Sequence, residues 1–327
     1  MFSLKKIILI IFLLTPFVVS AKIYPEDIIV TVTPENPEAN KEVTVNMKSF
    51  AADTDRSVII WTVNGKQIKN GVGEKEIQIK TGDVGTETRI VITVIDSETK
   101  ESVNKTISIS PAIIDIVWQS QAYVPAFYKG KALFPHQGTV TLTAIPTIVS
   151  KNGAKINADN LIYKWKKDGV VLGSLSGYGK KTLTLSGEVI SRPIIVSAEV
   201  STTDGSSQGA KEIILNPQEA NINLYRNSST LGILFNKALK NIHEMSGREI
   251  EIIAVPYNFS VNNKNSTDLE YKWTMNGGGI EGGSDSKIFR INDDQTGSSE
   301  IGTSIRHKSK ILQFSSEEIV LKYNSKN

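Results

Sequence analysis

Three histidines, His136, His243 and His307, are the only side chains here that titrate near neutrality, and there is no cysteine. An imidazole can act as a general base or a metal ligand. That chemistry needs a partner at set spacing, such as His-x-x-x-His or Glu-x-x-His on one helix face, and none of the three has one. His136 and His243 each fall shortly after a Lys-Ala-Leu triplet, Lys131–Leu133 and Lys237–Leu239. They read as equivalent positions of two repeats, not as two ligands of one site. No Gly-x-Ser-x-Gly elbow is present to expose a nucleophilic serine. The glycines at 277–279 and 282–283 have no Lys-Ser/Thr after them, so a phosphate cradle is not expected. No catalytic residue is predicted.

Binding chemistry has more to offer. Asp53 with Asp55, and Asp293 with Asp294, are the acidic pairs that calcium would use, although neither fits the twelve-residue calcium loop. No other metal or cofactor is expected. Aromatic residues gather at Trp118, Tyr123, Phe127, Tyr128 and Phe134, flanked by Lys129 and Lys131. Flat rings beside cations can stack on sugar or seat a protein partner. The same residues would also suit a long crossover packed on a sandwich. Asn104, Asn227, Asn258 and Asn265 sit in Asn-x-Ser/Thr triplets.

Whatever these residues do, the elements that position them are strands. Three stretches end alike: Trp61-Thr62-Val63-Asn64-Gly65, Trp165-Lys166-Lys167-Asp168-Gly169 and Trp273-Thr274-Met275-Asn276-Gly277. The tryptophans are about 104 and 108 residues apart. Asn-Gly and Asp-Gly tolerate the positive φ that a tight hairpin requires. Leu161, Tyr163 and Trp165 alternate with Lys164 and Lys166, and Leu269, Tyr271 and Trp273 alternate with Glu270 and Lys272. That is the period of a half-buried strand. A tryptophan there fills the middle of a two-sheet sandwich, burying on the order of 200 Å². Trp61, Trp165 and Trp273 are therefore expected in three cores.

Short alternating runs recur throughout: Ile28–Thr33, Val43–Met47, Ile77–Ile79, Ile90–Val94 and Thr106–Ser110 in the first repeat, and similar runs in the others. Their spacing predicts an all-β chain of three tandem sandwiches, at residues 22–111, 112–216 and 217–327. Pro111 and Asn216-Pro217 mark the boundaries. The third repeat follows the second in Lys-Ala-Leu, Ala-x-Pro, Tyr-Lys-Trp and the closing strand. Residues 231–245 could form an amphipathic helix, but Pro125, Gly130 and Pro135 in the matching segment forbid one there. Both segments are expected to be irregular, with at most a short helix in the third repeat.

Residues 1–21 carry Lys5 and Lys6, an apolar run from Ile7 to Val19 and the small residues Ser20 and Ala21, the pattern of a secretory signal peptide. No second span of membrane length follows. The whole chain has 37 basic and 34 acidic side chains. That near-balance argues against a nucleic-acid footprint. Export without cysteine means the sandwiches stand without disulfides.

A Trp strand running into an Asn/Asp-Gly turn, three times over, resembles the immunoglobulin-like superfamily. Among bacterial modules it is similar to the PKD-type domains of secreted and surface proteins. The longer Trp-x-Phe-Gly-Asp-Gly signature of those domains is absent. The resemblance implies a secreted or cell-surface chain, periplasmic where an outer membrane exists, that binds or spaces and does no catalysis. Its expected partner is a protein or a glycan at the cell surface. Adhesion, protein–protein interaction or structural spacing in a surface assembly, joined for example by strand-edge pairing, is the first expectation. Glycan binding by the aromatic cluster of the second repeat is the alternative.

Overall fold

The computed structural model describes residues 23–51, 53–126, 128–150, 153–292 and 295–324. The expected signal peptide lies outside them. The chain has two compact units. One holds the described residues up to Ile113, with Thr147–Ile156 and Ser201–Gly209. The other holds Ile114–Pro146, Asn157–Val200 and Ala210 onward.

The first sandwich contains β1 (Ile28–Thr33), β2 (Glu42–Ser49), β3 (Val58–Val63), β4 (Lys66–Val72), β5 (Glu76–Lys80), β6 (Thr88–Ile95) and β7 (Ser102–Ile109). One sheet has the order β1-β2-β5 and the other β4-β3-β6-β7. The second contains β8 (Ile113–Ser120), β9 (Thr139–Thr147), β10 (Ile162–Lys167), β11 (Val170–Val171), β12 (Gly177–Tyr178), β13 (Thr182–Ser186), β14 (Ile194–Ser201) and β15 (Gln208–Leu215). Its sheets run β13-β9-β8 and β11-β10-β14-β15. The third contains β16 (Asn221–Ser228), β17 (Gly232–Leu239), β18 (Asn241–Glu244), β19 (Glu249–Tyr257), β20 (Leu269–Met275), β21 (Gly278–Ile280), β22 (Ser286–Arg290), β23 (Thr296–His307) and β24 (Phe314–Asn324). Here the orders are β17-β16-β19-β22 and β18-β24-β23-β20-β21. Splitting the first, second and fifth strands from the third, sixth and seventh is the arrangement of immunoglobulin-like sandwiches. The chain is all-β with three such sandwiches in tandem.

Local chemistry accounts for the hairpins. Asn64, Asp168 and Asn276 each have φ of 49°, and the glycines after them 80–81°. Two successive left-handed residues make the turn whose twist matches the strands it joins. The same three side chains bond sideways. Their Oδ1 atoms accept the backbone N–H of Arg89 at 2.9 Å, Ile195 at 3.0 Å and Glu300 at 2.8 Å. Their own N–H groups donate back to the carbonyls of those residues. Each turn is thereby fastened to the neighbouring strand of its sheet.

Asp168 alone is ionised. The Ile195 N–H, followed by Arg192 at 2.7 Å, holds its carboxyl below the usual carboxylate range. A folded-state pKa below the unfolded one stabilises above the unfolded value and loses that contribution as pH falls through the folded value. Asp168→Asn, which copies Asn64 and Asn276, is expected to keep the turn at pH 7 and to flatten stability against pH below about 4. Asp168→Ala is expected to cost about 1 kcal/mol at pH 7, because the Ile195 N–H loses its acceptor. Urea melts at pH 7 and pH 3 check both.

The three tryptophans sit where alternation puts them. Trp61 and Trp165 are 0% exposed and Trp273 1%. A buried indole must still satisfy its N–H. Trp61 Nε1 donates to Glu74 O at 2.7 Å, Trp165 Nε1 to Lys180 O at 2.8 Å and Trp273 Nε1 to Ser284 O at 2.9 Å. Every acceptor is a main-chain carbonyl of the connection to the opposite sheet, so one side chain fills the core and ties the sheets together. Tyr163 and Tyr271 repeat the device two residues earlier, donating to Ala158 O and Lys264 O.

Two expectations need correction. Residues 231–245 are neither irregular nor helical: β17 and β18 occupy most of the segment. Gly232 at φ 71° opens β17, which pairs with β16 through a register shift, and Ile242 lies in β18. Backbone pairing to a neighbour outweighed a helical period that no cap supported. The Lys-Ala-Leu match also has different structures. Lys131–Leu133 lies outside any strand, whereas Lys237–Leu239 ends β17.

Candidate functional site

The expected aromatic patch of the second repeat is dispersed. Trp118 shares its face of β8 with buried Ile114 and is half-buried. Lys131 Nζ lies 3.4 Å from its ring centroid, so a cation covers the indole. A cation–π contact is worth about 0.5–1 kcal/mol at an exposed site and about 2 kcal/mol or more when desolvated. Tyr123 packs against the core of the third sandwich, and its N–H donates to Phe259 O at 3.0 Å. Burial, with Asp285 nearby, raises its hydroxyl pKa. Phe134 is buried. Tyr128 remains 43% exposed, and Lys129 is exposed. Phe127 lies outside the described residues, as do Asp293 and Asp294. The platform thus reduces to Tyr128 and its lysines.

The calcium candidates at the other acidic pair are engaged elsewhere. Asp55 pairs with Lys75 at 2.8 Å, and Asp53 with Arg56 at 3.6 Å. Among the described residues no group of three His, Asp or Glu could hold a metal. No helix among them is long and apolar enough to cross a membrane.

The histidines join a framework. The His136 ring meets Ser191 Oγ, His243 is half-buried in β18, and His307 Nδ1 accepts the Ser309 N–H at 3.2 Å. Burial, followed by Lys310, lowers the His307 pKa, and burial lowers that of Lys310. His307, Lys310 and the main chain of His136 adjoin Gln313, which is fully buried. Gln313 Nε2 donates to His136 O at 2.6 Å and Ser260 Oγ at 2.8 Å, and its Oε1 accepts the Ser260 N–H at 2.8 Å. Its carbonyl takes the His307 N–H. Alongside, Lys310 Nζ donates to Gln137 O at 2.7 Å, and the Leu312 N–H to Gln137 Oε1 at 2.8 Å. His136 and His307 therefore meet through main-chain atoms, in a polar joint fastening the loop at 134–138 to the β23–β24 connection. No spacing rule in the sequence signals it. A glutamine in a polar loop reads as solvated, and only the partner loop reveals the demand for its amide.

A cleft of about 510 Å³ opens on the first sandwich. Val30–Thr33 of β1 form one wall and Ser108–Ser110, at the end of β7, another. Glu35, Pro37 and the turn Gly205–Ser206 with Gln208 complete it. Gln208 Nε2 donates to Glu35 O at 2.9 Å and Ser207 Oγ to Ser110 O at 3.1 Å. β1 and β7 are terminal strands of their sheets. In the third sandwich β18 pairs in parallel with the last strand of the chain, β24, from Asn241 opposite Ile319 to Glu244 opposite Lys322, and so covers its edge. In the second, Pro135 makes a single parallel bridge to Gln218, beyond the end of β15. In the first, no strand among the described residues pairs with β7 on the side away from β6.

No family model matches the chain, and no curated protein does. Solved structures of tandem sandwich proteins are similar to it at low identity. The three N-terminal domains of the bacteriophage RB49 highly immunogenic outer capsid protein are 12% identical, cover 90% of this chain and 98% of their own, and give a TM-score of 0.26. The fibronectin(III)-like modules of Clostridium thermocellum CbhA are 13% identical over 58% of this chain and 94% of theirs, with a TM-score of 0.28. SGBP-B of the Bacteroides ovatus mixed-linkage glucan utilization locus, solved in complex with a mixed-linkage heptasaccharide, is 12% identical over 88% and 64%, with a TM-score of 0.22. At such scores the fold rests on the strand orders above.

Proposed function

We propose that the protein is a non-catalytic binding protein of an exported or cell-surface assembly, and that it takes an extended segment of a partner protein along the edge of its first sandwich. The modules are 22–111, 112–216 and 217–327 behind a leader at 1–21. One observation carries the reading. The third sandwich adds β18 in parallel to its last strand, β24, while β7 of the first is terminal in its sheet and faces a cleft. A terminal strand has a row of unpaired N–H and C=O groups, which a peptide satisfies by strand addition. Thr31, Thr33, Ser108 and Ser110 would line such a segment with small side chains.

A photoreactive residue at Ser110, used in the intact source cell, tests this. Adducts to one extended segment of a partner protein, absent when the same residue replaces Tyr128, are the expected result. Adducts from Tyr128 alone would overturn it. The glycan reading has one observation in its favour, the exposed ring of Tyr128. Glycan-array binding lost on Tyr128→Ala would favour that reading over the first.

A further inference from the structure

The second and third sandwiches differ at one end, in a way that opens a second site. In the second, Gly187, Ile194 and Pro217 border a void of only about 10 Å³. Their counterparts in the third repeat are Ile291, Ser299 and Tyr323, and these border a pocket of about 390 Å³. In the second, one aromatic fills this end. Phe134 follows the triplet Lys131-Ala132-Leu133, is 1% exposed and packs on Gly187 so closely that a Cβ there would lie 3.3 Å from its ring. In the third sandwich the core residues Met245, Phe289, Ile301 and Leu321 line a pocket instead.

The mouth of the pocket differs in chemistry from its floor. Arg290 lines it but is matched by Glu249 at 2.5 Å. Lys287 also lines it, donates to the carbonyl of Glu281 at 2.6 Å, and has no carboxylate partner among the described residues. A volume of this size is that of a small-molecule site, and an apolar floor under one unmatched cation selects an apolar chain with an anionic end. We propose that the open end of the third sandwich binds an aliphatic carboxylate, chain inward and head group at Lys287. Burying the chain against methionine and isoleucine supplies the affinity. Lys287 supplies the preference for an anion.

This site lies apart from the cleft of the first sandwich, and either reading can fail without the other. Calorimetric titration of the full chain with laurate tests it, with dodecyltrimethylammonium as the cation of equal chain length and phosphatidylglycerol vesicles as the lipid source. One laurate per chain is expected, at a micromolar Kd, and at least tenfold tighter than the cation. Lys287→Gln is expected to weaken laurate about tenfold. Gln295→Trp, an exposed position at the mouth, is expected to block it while leaving the melting temperature unchanged. Vesicle binding lost in the same variants would assign the carboxylate's place to a lipid head group; laurate binding without vesicle binding would assign it to a free acid. No laurate binding up to its solubility limit, equal affinity for the cation, or binding untouched by both variants would overturn the proposal.

Discussion

Trp165→Ala is expected to cost the second sandwich about 3–5 kcal/mol. The indole is wholly buried between its two sheets, and no neighbour can fill the volume it leaves. A domain is stable by only about 5–15 kcal/mol, so the loss takes most of the margin. Trp165→Phe is expected to lose less. It keeps most of the volume but leaves the Lys180 carbonyl without the N–H that reaches it at 2.8 Å. Urea unfolding, followed by circular dichroism, should order the three chains as wild type, Phe, Ala. The counterpart at Trp273 should show the same order. Equal midpoints for Trp165→Ala and wild type would show that the indole is not what holds the sheets together.

Gln313→Leu is the second change with a large expected effect, about 2–4 kcal/mol, for a different reason. Leucine fills much the same space but cannot bond. The His136 carbonyl and the Ser260 N–H lose their partner inside the joint, and each unsatisfied buried group costs about 1–3 kcal/mol. Packing is retained, so the loss is local. Hydrogen exchange should quicken at Ser260 and His307 before it changes in β9 or β14. Gln313→Glu separates bonding from shape: its carboxylate can still accept from Ser260 but cannot donate to His136, and is expected to be as harmful at pH 7. Unchanged exchange at Ser260 would show that the bonds of the joint contribute nothing.

The contrast between these two residues explains what could be read in advance. Trp165 announces itself because every cue around it is local. Alternation with Lys164 and Lys166 sets the face, and Asp168-Gly169 sets the turn a few residues on. A strand of period two cannot move by one residue without turning its core face to water, so such a pattern leaves little freedom. Gln313 carries no local cue. The atoms that demand its amide lie 53 and 177 residues away in the chain.

The dispersal of the aromatic cluster has the same cause. Trp118, Tyr123 and Phe134 are close in sequence and irregular in spacing, so nothing local assigns them a common face. The fold sends Tyr123 to the third core, places Phe134 as the plug of the second and puts Lys131 over Trp118. The segment after Leu231, expected to be irregular with at most a short helix, became strand because β16 was available as a partner and no cap held a helical turn.

Determined by the residues alone were the all-β class, the three repeats, the buried tryptophans' positions and the turns that end their strands. These follow from side-chain alternation and from backbone angles that few residue types tolerate. Left to the tertiary structure were which strand edges find partners, which sandwich end is plugged, and which polar side chains are drawn into a joint. Those outcomes depend on groups from distant parts of the chain competing for the same hydrogen bonds and the same space, and no short stretch of sequence contains both competitors.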